Sequence, residues 1–148
     1  MTGSTTDPST TPPAPRGPQL TDGSEQLFRQ VHPSWIQAGK PTSQAFRPTP
    51  KDKGLLSVSR SAKTSASEAF ELHTRVKGLE SAGVWGFLVS DCSDAGLAVY
   101  ADPVEQPIPD PAHSVVDFRH LSDKEARGRS QILKAKAEPI YVRKADDR

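Results

Sequence analysis

One cysteine, Cys92, in 148 residues excludes an internal disulfide and a multi-thiolate metal site. Aromatic residues make up only 6% of the chain and hydrophobic residues 34%, thin for a fully globular protein. No apolar run approaches the length that spans a bilayer; the longest, Val84–Val89, is the size of a strand. Positive charge is missing from Ser81 to Phe118, a stretch that carries six acids (Asp91, Asp94, Asp102, Glu105, Asp110 and Asp117). The segments on either side, 25–80 and 119–148, each hold nine basic against five acidic residues. Unless the fold interleaves these segments, the surface divides into an acidic face and a basic one. These absences describe a cytoplasmic protein with no membrane partner.

Residues 1–24 hold five prolines and many Ser and Thr, with Leu20 as the sizeable apolar side chain. Such a segment cannot bury enough surface to offset its chain entropy, so it is expected to be a disordered tail. It has neither the basic and apolar regions of a secretory signal nor the Arg-rich character of a transit peptide. A single domain is expected over 25–144, with a charged end at 145–148.

Leu27–Val31 and Leu55–Ser59 read as strands, joined by a long loop punctuated by Pro33, Pro41, Pro48 and Pro50. Ser65 and Glu68 form a capping box for a helix whose stripe is Ala69, Leu72, Val76 and Leu79. Val84–Val89 predicts a central strand, Asp91 a short helical turn, and Leu97–Tyr100 and Ser114–Phe118 two more strands. Asp102–Pro111, with four prolines, predicts an extended surface loop. Ser122 and Glu125 cap a second helix that ends before Pro139, and Ile140–Val142 a last strand. The order gives an α+β class: a small mixed β-sheet with one or two packed helices.

Three residues are candidates for chemistry. Arg29 lies in an otherwise apolar strand, where a guanidinium needs a fixed anionic or carbonyl partner. The plainer reading is that Arg29 snorkels at a sheet edge. His32 follows the strand and is either an acid–base group or a turn residue. Ser57 is the polar residue on the second strand. Cys92 is flanked by Asp91 and Asp94, which disfavour a thiolate, and is expected to be a buried bystander. His113, Asp117 and His120 are too poorly spaced for a metal site, and none is expected.

Candidate binding residues are Trp35, Phe46 and Arg47 in the long loop and Lys124, Arg127 and Lys134 on the last helix. Their helical spacing makes these last three, with Gln131, one continuous face. That face could meet an acidic protein or a nucleic acid, although the interleaved aromatics of single-strand binders are absent.

Arg29-Gln-Val-His-Pro33, Ser43-Gln-Ala-Phe-Arg-Pro48, Lys51-Asp52 and Leu56-Ser-Val58 resemble the spine of a family of small bacterial proteins without an assigned activity, over residues 27–118. An arginine on the first strand, the Ser-bearing Leu56–Ser59 strand and a helix with Ala69 and Phe70 are also similar to the opening of ADP-ribosyltransferase-like and NAD-degrading toxin domains. That likeness implies that Arg29 and Ser57 hold NAD and that a later glutamate assists. Glu105 falls in the Pro-rich loop and Glu68 and Glu71 on the helix, so the glutamate is not placed. Two functions remain: a non-enzymatic protein-binding or accessory module without cofactor, in a toxin, antagonist or defence setting, or an NAD-using enzyme built on Arg29 and Ser57.

Overall fold

The computed structural model describes residues 15–142. Eight strands are formed: β1 (Gln26–Val31), β2 (Ile36–Gln37), β3 (Lys40–Pro41), β4 (Leu55–Arg60), β5 (Gly83–Leu88), β6 (Ala98–Ala101), β7 (His113–Asp117) and β8 (Glu138–Val142). Three α-helices accompany them: α1 (Ala66–Glu71), α2 (Val89–Asp94) and α3 (Asp123–Lys136). Six strands make one sheet in the order β6-β7-β4-β1-β5-β8, and β2 and β3 pair separately within the long loop. The α+β class holds, and every pairing in the large sheet is antiparallel.

Period-two alternation assigns the two faces of the sheet. Leu27 and Val31 of β1, Leu56 and Val58 of β4, Trp85 and Phe87 of β5, Val99 of β6 and Val116 of β7 belong to the larger core. Val89, Cys92 and Ala95 around α2, Leu133 of α3, and Ala45 and Phe46 of the long loop close it. Phe28 and Val84 face the other way and pack with Ala66 and Phe70 of α1 and with Tyr141.

Both capping boxes form as the sequence predicts, Ser65 with Glu68 and Ser122 with Glu125. The stripe after the first one does not. α1 ends at Glu71 and the chain continues as a π-helical turn over Leu72–Val76. Wider winding rotates later residues off the buried face. The buried set is therefore Ala66, Ala69 and Phe70, while Val76 and Leu79 stand exposed.

The expected disordered tail also needs correction over its second half. Residues 17–20 run antiparallel to β6: the Gly17 and Leu20 amides donate to Ala101 and Val99, and the Ala101 amide donates to Pro18. Leu20 enters the main core. Arg16 binds Asp102, both backbone amide and Nη1 lying 2.9 Å from Oδ1. One apolar residue and one charge, each with a waiting partner, suffice to order a segment of tail composition. Residues 1–14 and the charged end 145–148 lie outside the described residues.

Charge is interleaved rather than divided into faces. Of the six acids in 81–118, Asp102 pairs with Arg16, Asp110 with Lys77, and Asp117 with Arg119.

Candidate functional sites

Arg29 is not at a sheet edge. β1 is an interior strand between β4 and β5, and Arg29 is buried. Its Nε donates to the Ala45 carbonyl at 2.7 Å and its Nη1 to the Ser57 carbonyl at 2.9 Å. The Trp35 ring lies 5.3 Å from the guanidinium carbon, a cation–π contact. Burial pushes Arg29 down to about 10, partly offset by the charge of Asp52. It remains a cation at neutral pH, with its bonds directed at the main chain. β1–β4 pairing covers Leu27↔Arg60 and Phe28↔Ser59. Continued, that register would set Gln30 opposite Ser57, and there the guanidinium takes the Ser57 carbonyl. Arg29 therefore ties the long loop to two strands.

Ser57 points to the opposite face. Its neighbours Leu56 and Val58 belong to the main core, whereas its own side chain is exposed. Arg29 and Ser57 both line the cleft under α1, but the guanidinium spends its bonds on the Ala45 and Ser57 carbonyls rather than meeting the hydroxyl. His32 is a turn residue: its Nδ1 accepts from the Ser34 amide at 3.0 Å, capping the turn Pro33–Trp35. Its Nε2 lies 3.1 Å from Glu80.

Trp35 and Phe46 anchor the loop. Phe46 is fully buried and meets Phe87 edge-on at 6.1 Å between ring centres, while Trp35 packs partly buried against the same core. Cys92 is buried, and desolvation, with Asp91 beside it, pushes its thiol up to about 12. Among the described residues no three His, Cys, Asp or Glu side chains gather as metal ligands.

Two concave regions among the described residues bear on function. One is a groove of about 460 Å3 between the end of the long loop and the start of α3, lined by Arg47, Lys53, Arg119 and Arg127, with Asp123 as its carboxylate. Arg119 is committed to Asp117 through two 2.9 Å bonds, which hold that carboxyl below its usual range. Arg47 makes only 3.4 Å contacts, to Ser43 and Ser130. Neither Lys53 nor Arg127 has an ion-pair partner among the described residues. Gly54 lines the same groove at φ 83°, and a Cβ there would lie 2.7 Å from Arg119 Cγ. Any other residue would displace the arginine.

Of the predicted binding residues, Arg47 and Arg127 meet at this groove, on two elements 80 residues apart in sequence. Lys124 and Lys134 are exposed along the same α3 face as Arg127. Trp35 and Phe46 do not line it. Lys53, in the left-handed conformation, and Arg119 were not singled out, because only the fold brings β4 and β7 ends together.

The second region is a cleft of about 80 Å3 under α1, lined by residues including Gln30, Ser57, His73, Lys77, Asp110 and His113. Burial lowers the His73 pKa, and Lys77 adds to the effect. Ser57 Oγ lies 3.1 Å from His113 Nε2, and His113 Nδ1 lies 3.1 Å from Asp102 Oδ2. Sequence spacing hides this chain of contacts. It depends on β4 lying beside β7, with Ser59 opposite His113. Asp102, read as the start of a surface loop, is buried.

Comparison of the chain with protein-family models, curated proteins and solved structures finds no match. No described helix is long and apolar enough to cross a membrane.

Proposed function

We propose that this protein is a binding module that docks an acidic segment of a partner protein in the groove between the long loop and α3. The observation that carries this reading is the convergence of Arg47, Lys53 and Arg127 on one open groove. Water-exposed cations that lack acidic partners gain most from an incoming carboxylate. Phe118, Leu121 and Ala126 add an apolar floor, and Asp123 a single acceptor, a mixture typical of protein interfaces. Lys124 and Lys134 extend the positive surface along α3. A cytosolic setting fits the composition, with one buried thiol.

Nucleic acid is the second class of partner. The groove holds no exposed aromatic on which a base could stack, which favours protein. The NAD reading is less favoured because the Arg29 guanidinium is engaged by two main-chain carbonyls.

Fluorescence anisotropy with a labelled oligoglutamate peptide tests the proposal, with a single-stranded oligonucleotide of equal charge alongside. Peptide binding should weaken with salt and fall at least about tenfold in Arg47→Glu/Arg127→Glu. Tight oligonucleotide binding without peptide binding would transfer the groove to nucleic acid. Binding of neither, or binding indifferent to the double substitution, would remove the proposal.

A further inference from the structure

The cleft under α1 holds a second site on the other face of the sheet, independent of the binding groove. We infer that Ser57, His113 and Asp102 form a nucleophile–base–orienter relay able to hydrolyse short-chain acyl esters. The argument begins with connectivity. The serine hydroxyl meets one imidazole nitrogen, Nε2, at 3.1 Å; the other, Nδ1, bonds the Asp102 main-chain carbonyl at 3.0 Å, with the Asp102 carboxylate Oδ2 3.1 Å away. That is an order in which a base can take a proton from a hydroxyl while the Asp102 carbonyl holds its tautomer and the neighbouring carboxylate stabilises the imidazolium.

Each member is placed for its part. Ser57 is exposed, so a substrate carbonyl can reach Oγ. His113 is largely covered, with its ring held between neighbouring strands. Asp102 is buried, and Arg16 occupies its Oδ1 through two bonds, leaving Oδ2 for the imidazole. The carboxylate is thereby fixed in orientation, as a positioning residue should be.

The cleft supplies a further group. Gln30 lines it, and Gln30 Oε1 is the buried side-chain atom without a hydrogen-bond partner among the described residues. Carboxamide oxygen and nitrogen exchange places on a half-turn, so an acyl group that drew this side chain from its buried position would meet N–H donors. The volume, about 80 Å3, is that of roughly two to three water molecules and limits the acyl group to a short one.

In the reaction, Ser57 Oγ forms a bond to the carbonyl carbon and its proton passes to His113 Nε2. The ester C–O bond breaks, and the leaving alkoxide takes that proton. Water then attacks the acyl-serine, again giving its proton to His113, which returns it to Ser57 Oγ as the carboxylic acid departs. Asp102 exchanges no proton in these steps, and no oxidant or metal enters the balance.

The experiment uses the full chain and p-nitrophenyl acetate, following p-nitrophenol release and locating acetyl groups by peptide mass spectrometry. An acetyl group on Ser57 is expected. Ser57→Ala, at an exposed side chain, should keep the native circular dichroism spectrum and lose at least about a hundredfold in rate. His113→Gln should lose a similar factor together with the acetyl group on Ser57. Release at equal rates from wild type and Ser57→Ala, acetylation confined to lysines, or no release from wild type would each overturn the relay.

Discussion

The guanidinium of Arg29 donates to the main-chain carbonyl of Ser57 at 2.9 Å, while the two side chains stand on opposite faces of the sheet. Two residues that a linear reading pairs as ligands are thus joined through the backbone. The bond serves architecture: it fastens β1 to β4 where their pairing ends and, through Ala45, fastens the long loop to both.

Removing that guanidinium should be expensive. Arg29→Ala strands the Ala45 and Ser57 carbonyls and strips Trp35 of its cation, a loss on the order of 3 kcal/mol. Urea unfolding should show this as a lower midpoint. A lysine at position 29 would not restore the fork and should recover only part of the loss. Unfolding midpoints equal to wild type would mean that the two carbonyls find other donors.

The two rings that seat the loop should be energetically coupled. Phe87→Ala is expected to destabilise by about 3–5 kcal/mol, and Phe46→Ala by a similar amount. Because the rings meet at 6.1 Å, the double variant should lose about 0.5–1.5 kcal/mol less than the two single losses added together. Strict additivity would show that the loop is not held by this contact.

Truncation gives a third test. A chain beginning at residue 25 loses Leu20, the hydrogen bonds to β6 and the Arg16–Asp102 pair. Its Tm should fall by several degrees, on the order of 5 °C, below that of a chain beginning at residue 15. Identical melting curves would return the segment to the status of a dispensable tail.

Acid should weaken the fold through Glu25 and Asp117. Arg60 lowers the Glu25 pKa through two bonds of 2.9 and 3.0 Å, and Arg119 does the same for Asp117. A depressed folded-state pKa contributes stability that is complete above the unfolded value, about 4 for these carboxyls, and lost as pH falls through the lowered one. The unfolding midpoint should therefore decline below about pH 4.5. Arg60→Gln should flatten that decline, and an unchanged slope would exclude Glu25 as a contributor.

Much of the scaffold was legible before any coordinates. Short apolar stretches, alternating in β1 and continuous in β5, located β1, β4, β5 and β7, and the hydroxyl–glutamate pairs at Ser65 and Ser122 located two helix starts within a residue. These signals are local and follow from a period or a cap. What stayed hidden required knowing which strands are neighbours. The Ser57–His113 contact spans 56 residues, and the burial of Arg29 depends on β1 being interior. The π-helical turn at Leu72–Val76 defeated the period itself, since a stripe drawn at 3.6 residues per turn cannot anticipate a wider one. Composition misled at residues 16–20 because it averages over a segment, whereas order there hangs on Arg16 and Leu20 individually.

The pairing of residues 17–20 along β6 has one more consequence. A sheet of this kind ends in two rims of unspent amides and carbonyls, each a template for another extended chain. At the β8 rim, Pro139 removes one donor, and a register shift in its pairing with β5 distorts the ladder. Among the described residues, the β6 rim is covered by residues 17–20. A protease cutting between residues 20 and 25 would release that seal and convert a self-contained sheet into one with a vacant berth beside Val99, Tyr100 and Ala101. The same few residues that complete the fold thus also keep it from recruiting strangers.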